Sequence, residues 1–242
     1  MGIRENSLEV LSKMNDAAER AGRNPADVTL VAVTKTHPPE LLQEAYEAEL
    51  RHFGENRSHE LEEKVPWLAE KLGVENGIVW HYIGHLQTRQ SQPIADYGHI
   101  FHAADRPKIV NRLGRQLSEN GRTLDVLLEV NISGESSKGG FNCSDWENSL
   151  EQQKTILDAV KLVNSAAGQS PTGLMTMAPW GAEPEFIRKV FSRTRSLRDW
   201  LSEELQQSLP VLSMGMTDDF EIAIEEGATH VRVGRALFGE RK

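Results

Sequence analysis

The residue best placed to do chemistry is Lys35. It ends the apolar run Val28-Thr29-Leu30-Val31-Ala32-Val33-Thr34, and Thr36-His37-Pro38-Pro39 stops the run behind it. A near-continuous Val/Leu stretch is how a parallel strand buried on both faces reads, and α/β folds carry their chemistry at strand C-termini. A lysine drawn into such an apolar site loses ammonium hydration. Its pKa falls and its amine becomes a nucleophile able to form a Schiff base with an aldehyde. Strand-end lysines also simply snorkel into solvent, so the other residues must decide.

Two glycine loops point to an anion. They are Met214-Gly215-Met216-Thr217-Asp218 and Val233-Gly234-Arg235-Ala236-Leu237-Phe238-Gly239. Each places a glycine where backbone must approach something closely, and Thr217 is expected to open a helix whose N–H groups attract negative charge. Singly they read as glycine turns with an ordinary cap. Together, after the last two strands of a barrel, they read as a phosphate site. Arg232 lies between Val231 and Val233, so alternation sends it to the opposite face from both. If the valines pack outward, Arg232 points into a barrel and needs an acceptor: a strand-end carboxylate such as Glu55 or Glu129, or a ligand atom near the axis. Asn56, in Gly54-Glu55-Asn56-Arg57, can bond a ligand or cap the next helix.

Other chemistries lack their residues. The 8 histidines lack metal-site spacing and there is 1 cysteine, so no metal is expected. Neither a Gly-x-Ser-x-Gly elbow nor a Walker loop occurs. Cys143 sits in a polar stretch with no base beside it; it excludes an internal disulfide and suits a reducing cytosol. Lys138, in the Gly- and Ser-rich loop 131–142, is the second lysine of interest, read here as solvated.

The elements that must position these residues alternate regularly. Leu8, Leu11, Met14 and Ala18 predict an amphipathic helix over about 4–21. Strands are expected at 28–34, 52–55, 78–84, 99–103, 124–130, 173–177, 210–215 and 230–234. Helices are expected at about 39–50, 56–72 (broken near Pro66), 86–95, 106–119 (capped by Asp105), 144–165, 183–205 and 218–226. Eight βα units without a linker predict one parallel (β/α)8 barrel domain over 1–242, with a doubly wound open sheet as the runner-up.

Composition agrees. The 242 residues are 38% hydrophobic, and 27 basic against 36 acidic residues give a net charge of −9. No basic run breaks that balance, so nucleic acid and anionic membrane surfaces are not expected partners. The start has no apolar signal core, its hydroxyl at Ser7 falls one place late for myristoylation, and no membrane-length apolar run occurs. These features predict a cytoplasmic chain.

With these pieces in order, the chain resembles the pyridoxal phosphate homeostasis protein family (YggS/PROSC-like) over almost its whole length. The motifs are Ala-Val-Thr-Lys-Thr at 32–36, Phe-Gly-Glu-Asn at 53–56, His-Tyr-Ile-Gly-His-Leu-Gln at 81–87 and Val-Asn-Ile-Ser-Gly-Glu-Ser-Ser-Lys-Gly-Gly at 130–140. Gly-Leu-Met-Thr-Met at 173–177, Ser-Met-Gly-Met-Thr-Asp-Asp at 213–219 and Val-Arg-Val-Gly-Arg-Ala-Leu-Phe-Gly at 231–239 complete them. The resemblance implies a single TIM barrel like the N-terminal domain of alanine racemase (PLP fold type III). It implies pyridoxal 5'-phosphate (PLP) held as a Schiff base on Lys35, with Asn56 near the pyridine ring and Arg232 facing its nitrogen. Ser213, Thr217, Gly234 and Arg235 would lie near the phosphate.

The implied role is management of cellular PLP supply by a monomer serving apo PLP-dependent enzymes, with no catalytic residue assigned. Whether any enzyme activity exists stays open. A PLP-dependent amino-acid racemase is the alternative, and a cofactor-free Schiff-base aldolase a weaker third. Arg232 beside the ring nitrogen would disfavour the pyridinium that makes PLP a strong electron sink. Tyr46, Tyr82 and Tyr97 are the only tyrosines that could supply a racemase's second acid/base. The chain departs from the family at Thr217, usually serine, at Arg235, commonly a small hydroxyl residue, and at Thr88-Arg89, more usually Ser-Asn.

Overall fold

Strand order follows from the apolar runs. The computed structural model describes residues 2–239. Its strands are β1 (Thr29–Val33), β2 (His52–Glu55), β3 (Val79–Tyr82), β4 (Ile100–Ala104), β5 (Leu124–Asn131), β6 (Phe141–Asn142), β7 (Gln169–Met175), β8 (Val211–Ser213) and β9 (His230–Val233). All pair in parallel, in the order β4-β3-β2-β1-β9-β8-β7-β5-β6, and β4 also pairs with β5. That last pairing closes eight strands into a barrel, as the βα alternation predicts, while β6 adds a two-residue strand at the end of β5. Closure removes the sheet edges an open sheet would leave.

The helices are α1 (Ile3–Arg20), α2 (Pro39–Glu47), α3 (Ser58–Leu72), α4 (Gln92–Tyr97), α5 (Pro107–Asn120), α6 (Leu150–Ser165), α7 (Pro184–Leu205), α8 (Phe220–Glu225) and α9 (Arg235–Phe238). Helices α2 and α5 bury apolar stripes, Leu42 and Ala45 on α2 and Ile109, Leu113 and Leu117 on α5. Helix α1 lies on α8 and α9. There Asn6 Nδ2 donates to Leu237 O at 2.8 Å, while Arg20 pairs with Glu221 and Glu225.

Several expected boundaries move, for local reasons. Helix α3 runs through Pro66 without a break. Pro66 is on the solvent face, where the Glu62 carbonyl that loses its amide partner can be hydrated. The helix expected at 86–95 is instead a 3-10 turn, Thr88–Gln90, followed by α4, because Pro93 fixes a fresh start at its first turn. Asp105 does not cap α5; its carboxylate pairs with Arg106 and with His85 Nδ1 at 3.1 Å. Helix α6 begins at Leu150, where Ser149 Oγ accepts from Gln152 N, six residues later than expected. Strand β7 starts earlier, at Gln169.

Candidate functional site

The C-terminal ends of the strands open into a cavity of about 700 Å³. Lys35, Asn56, Thr217, Arg232, Gly234 and Arg235 line it, joined by Met177, Met216 and Trp180. Ser213, the seventh expected residue, does not line it. It is buried behind Arg232, whose Nη1 donates to Ser213 Oγ at 2.5 Å.

Lys35 follows β1 by two residues, in a turn. Its neighbour Thr36 has φ 67°, left-handed backbone that a β-branched residue rarely adopts. Both flanking peptides are tied to α3. Lys64 Nζ donates to Thr34 O at 2.9 Å, and the Thr36 amide donates to Glu60 Oε2 at 2.8 Å. Lys64 is buried, and its ammonium also bonds Glu55 Oε1 at 2.7 Å and Glu60 Oε2 at 2.5 Å. One ammonium thus faces two carboxylates. Glu60 has Lys64 and the Thr36 amide, which hold its pKa below the ordinary range despite partial burial. Burial pushes Glu55 up to about 8, against Lys64 and the Thr34 hydroxyl, which donates to it at 2.6 Å.

Arg232 is the charge on the barrel axis. As alternation requires, Val231 and Val233 pack outward and the guanidinium points inward. It makes no ion pair with Glu55 or Glu129. Its acceptors are Ser213 Oγ and the Thr176 carbonyl, the latter at 3.0 Å. Burial lowers its pKa to about 10, partly offset by the Asp219 and Glu129 carboxylates. Below it runs a line of imidazoles that the sequence reading did not connect. His102 Nδ1 is 2.9 Å from Ser213 Oγ, His81 Nδ1 is 2.8 Å from His102 Nε2, and His52 Nδ1 is 2.9 Å from His81 Nε2. Burial holds His81 and His102 well below the ordinary histidine pKa, and His230 beside them at about 4.

The two glycine loops meet at the rim after β8 and β9, next to β1. Gly215 has φ 93°, and a Cβ there would lie 2.6 Å from Ala223 Cβ, so glycine lets the loop turn tightly over α8. Thr217 does not open a helix as expected. It sits in the turn Met216–Asp219, closed by Met216 N donating to Asp219 Oδ1 at 2.5 Å, and α8 begins at Phe220. Gly234 packs where a Cβ would sit 3.3 Å from Val33 Cβ. Arg235 reaches back across the rim to donate to Asp218. Asn56 is not a helix cap, since Arg57 takes that position. Its Oδ1 is buried without a hydrogen-bond partner at the cavity wall.

Two further readings change. Lys138 is not solvated: Nζ donates to Met177 O at 2.7 Å and pairs with Glu135 at 3.0 Å, so loop 131–142 is tied to the end of β7. Cys143 is buried, and burial pushes its thiol up to about 12, so it is inert. Among the described residues no group of three His, Cys, Asp or Glu could hold a metal ion. No described helix is long and apolar enough to cross a membrane.

Comparison with known proteins places this architecture. The sequence model of the family described as "Alanine racemase, N-terminal domain" matches residues 9–242. The pyridoxal phosphate homeostasis protein of Aquifex aeolicus is 39% identical over 242 residues, covering both chains completely. That of Pseudomonas aeruginosa is 40% identical over 239 residues, 99% of this chain and 96% of the other. Among solved structures, PipY of Synechococcus elongatus with PLP bound superposes with a TM-score of 0.78 at 28% identity, over 98% of this chain and 100% of the other. Alanine racemase of Clostridium difficile shares the fold alone: TM-score 0.69 at 13% identity, over 99% of this chain but 57% of its own. A full-length match at this identity, on a closed barrel with its lysine at the end of β1, settles the kinship: the chain belongs to the pyridoxal phosphate homeostasis protein family.

Proposed function

We propose that this chain binds PLP in the strand-end cavity and serves the cell's PLP supply from the cytoplasm. Lys35 is its reversible covalent anchor, and no substrate is turned over. The observation that carries the reading is the convergence on one cavity of an amine nucleophile, a buried guanidinium and two glycine loops. The cavity fits the group. Asn56 Oδ1 lacks a partner at its wall, and Arg235 and Thr217 on that wall supply donors suited to an anion.

When bound, PLP supplies an electrophilic aldehyde and an electron-withdrawing ring. The protein's own residues do the rest. The Lys35 amine takes the aldehyde end, and Thr217, Gly234 and Arg235 take the phosphate end. Arg232 would face the ring nitrogen as a cation, held in place by one N–H given to Ser213 and one to Thr176. A permanent charge there withholds the proton that would strengthen the electron sink. No tyrosine lines the cavity; Tyr82, the nearest in sequence to the site, is buried with its hydroxyl on Asn56 O. These features support a carrier over a racemase. A monomer that hands PLP to apo enzymes completes the reading.

Borohydride reduction of the protein incubated with PLP, followed by peptide mass mapping, tests it. A pyridoxyl-phosphate mass on the Lys35 peptide is expected. No adduct, or adducts spread over surface lysines alone, would reject the anchor.

A further inference from the structure

We propose that Glu60 and Lys64 are positioning residues for Lys35: from α3 they pin the peptide groups on both sides of it and hold the left-handed turn at Thr36 that presents the lysine to the cavity. The proposal rests on the reading of Lys35 as the anchor.

The turn is strained on its face. Thr36 is β-branched, exposed, and at φ 67°, a conformation that persists only where surrounding structure over-determines it. Here the surroundings do so from below. Lys64 Nζ holds the Thr34 carbonyl, Glu60 Oε2 holds the Thr36 amide, and the two side chains hold each other. Thr34 is fixed again through its hydroxyl to Glu55 and by its carbonyl accepting from His37 N at 3.1 Å. The residue between these two anchored peptides is Lys35.

Stability alone does not account for the arrangement. A buried ion pair gains little or nothing over an apolar pair of similar volume. Leu61 and Leu68 fill the same face of α3, so apolar residues at 60 and 64 would continue that stripe. What an apolar pair could not do is bond a carbonyl on one side of Lys35 and an amide on the other. Glu55 Oε2 and Glu60 Oε1 are also left buried without partners, a cost that geometry at Lys35 would justify.

The test uses the full chain and two readings. Hydrogen exchange without ligand follows the Thr36 amide. It is expected to be protected in the wild type, although the turn is exposed, and to exchange freely in Glu60→Ala, which leaves Lys64 paired with Glu55. Borohydride trapping then follows the PLP concentration needed for half-maximal adduct at Lys35. Glu60→Ala is expected to raise it about tenfold. Adding Thr36→Gly, which takes positive φ freely, is expected to restore most of the loss, a rescue that a merely structural role would not give. Lys64→Met repeats both readings if Glu60→Ala does not fold. Fast exchange at Thr36 in the wild type, trapping unchanged in Glu60→Ala, or a loss that Thr36→Gly fails to rescue would each overturn the proposal. If the wild type gives no adduct at all, the cofactor reading falls while the exchange data still judge the clamp.

Discussion

His102 Nδ1 lies 2.9 Å from Ser213 Oγ, and that same oxygen accepts from Arg232 Nη1 at 2.5 Å. The chemistry of the groups assigns the protons. A guanidinium only donates, so Ser213 Oγ accepts from Arg232 and keeps its own proton to give; we assign that proton to His102 Nδ1, the other partner of this oxygen. His102 then carries its proton on Nε2 and donates to His81, which donates in turn to His52. Three neutral imidazoles back the one guanidinium on the barrel axis, and each fixes the tautomer of the next.

That chain makes His102 a pH-dependent contributor to stability. Burial and Arg232 keep its folded pKa well below 6.5. The unfolded chain binds a proton near 6.5 and the native state does not, so the stability His102 supplies is full above that pH and is lost as pH falls. The variant His102→Gln should be less stable than the wild type by about 1–3 kcal/mol at pH 7.5, from broken hydrogen bonds. The gap should narrow by up to about 1.4 kcal/mol per pH unit below pH 6.5. Comparing the two proteins cancels buried carboxylates such as Glu55, whose raised pKa acts with the opposite sign. Urea unfolding of both at pH 7.5, 6.5 and 5.5 measures it, and a constant gap would refute the neutral assignment.

Gly84 ties the motif after β3 to the site. A Cβ there would fall 2.3 Å from Asn56 O and 2.7 Å from Asn56 Cα, a contact with backbone that no side-chain rotation relieves. Gly84→Ala should therefore cost about 2–4 kcal/mol, as overpacking against fixed neighbours does. It should also displace Asn56 from the cavity wall. Thermal unfolding reads the first effect and PLP titration the second; a variant with wild-type melting would show that Asn56 yields freely.

How much of this was legible in the sequence depends on how local each signal is. Lys35 and Arg232 were found because apolar runs and two-residue alternation act over a few positions, and the fold obeys both. Ser213 was placed among ligand contacts, yet it faces Arg232, because a motif gives proximity and not direction. Thr217 and Asp105 look like helix starts, yet Thr217 sits in the turn that Met216 and Asp219 close, and Asp105 pairs with His85, which only the folded chain brings near. The Glu60–Lys64 pair was missed since a Glu–Lys spacing of four is usually a surface pair. A signal existed, because both fall on the stripe of Leu61 and Leu68, where charge is out of place. The histidine chain joins strands 20 or more residues apart and has no such local mark.

Lys35→Ala should separate anchoring from folding. Lys35 is only half-buried at the cavity wall, so truncation there should cost about 1 kcal/mol or less. Circular dichroism and melting should match the wild type while the borohydride-stable adduct disappears. A collapse of the fold would instead show that Lys35 is part of the structural core.

The ion pair across the rim offers the last prediction. Arg235 donates to Asp218, joining the start of α9 to the loop after β8, with side chains 51% and 61% exposed. If a phosphate binds between Thr217 and Gly234, Asp218 opposes it twice, by its own charge and by occupying Arg235. Exposed pairs are weak, so the effect is small but signed. Asp218→Asn should tighten PLP binding about two- to fivefold at low salt, with the gain shrinking as salt screens it. Arg235→Thr should weaken PLP by a similar factor. Pyridoxal, which lacks the phosphate, should respond to neither change. Equilibrium titrations of both ligands at two salt concentrations decide the matter. An equal effect on pyridoxal would move Arg235 from the phosphate end of the cavity to some other part of the ligand.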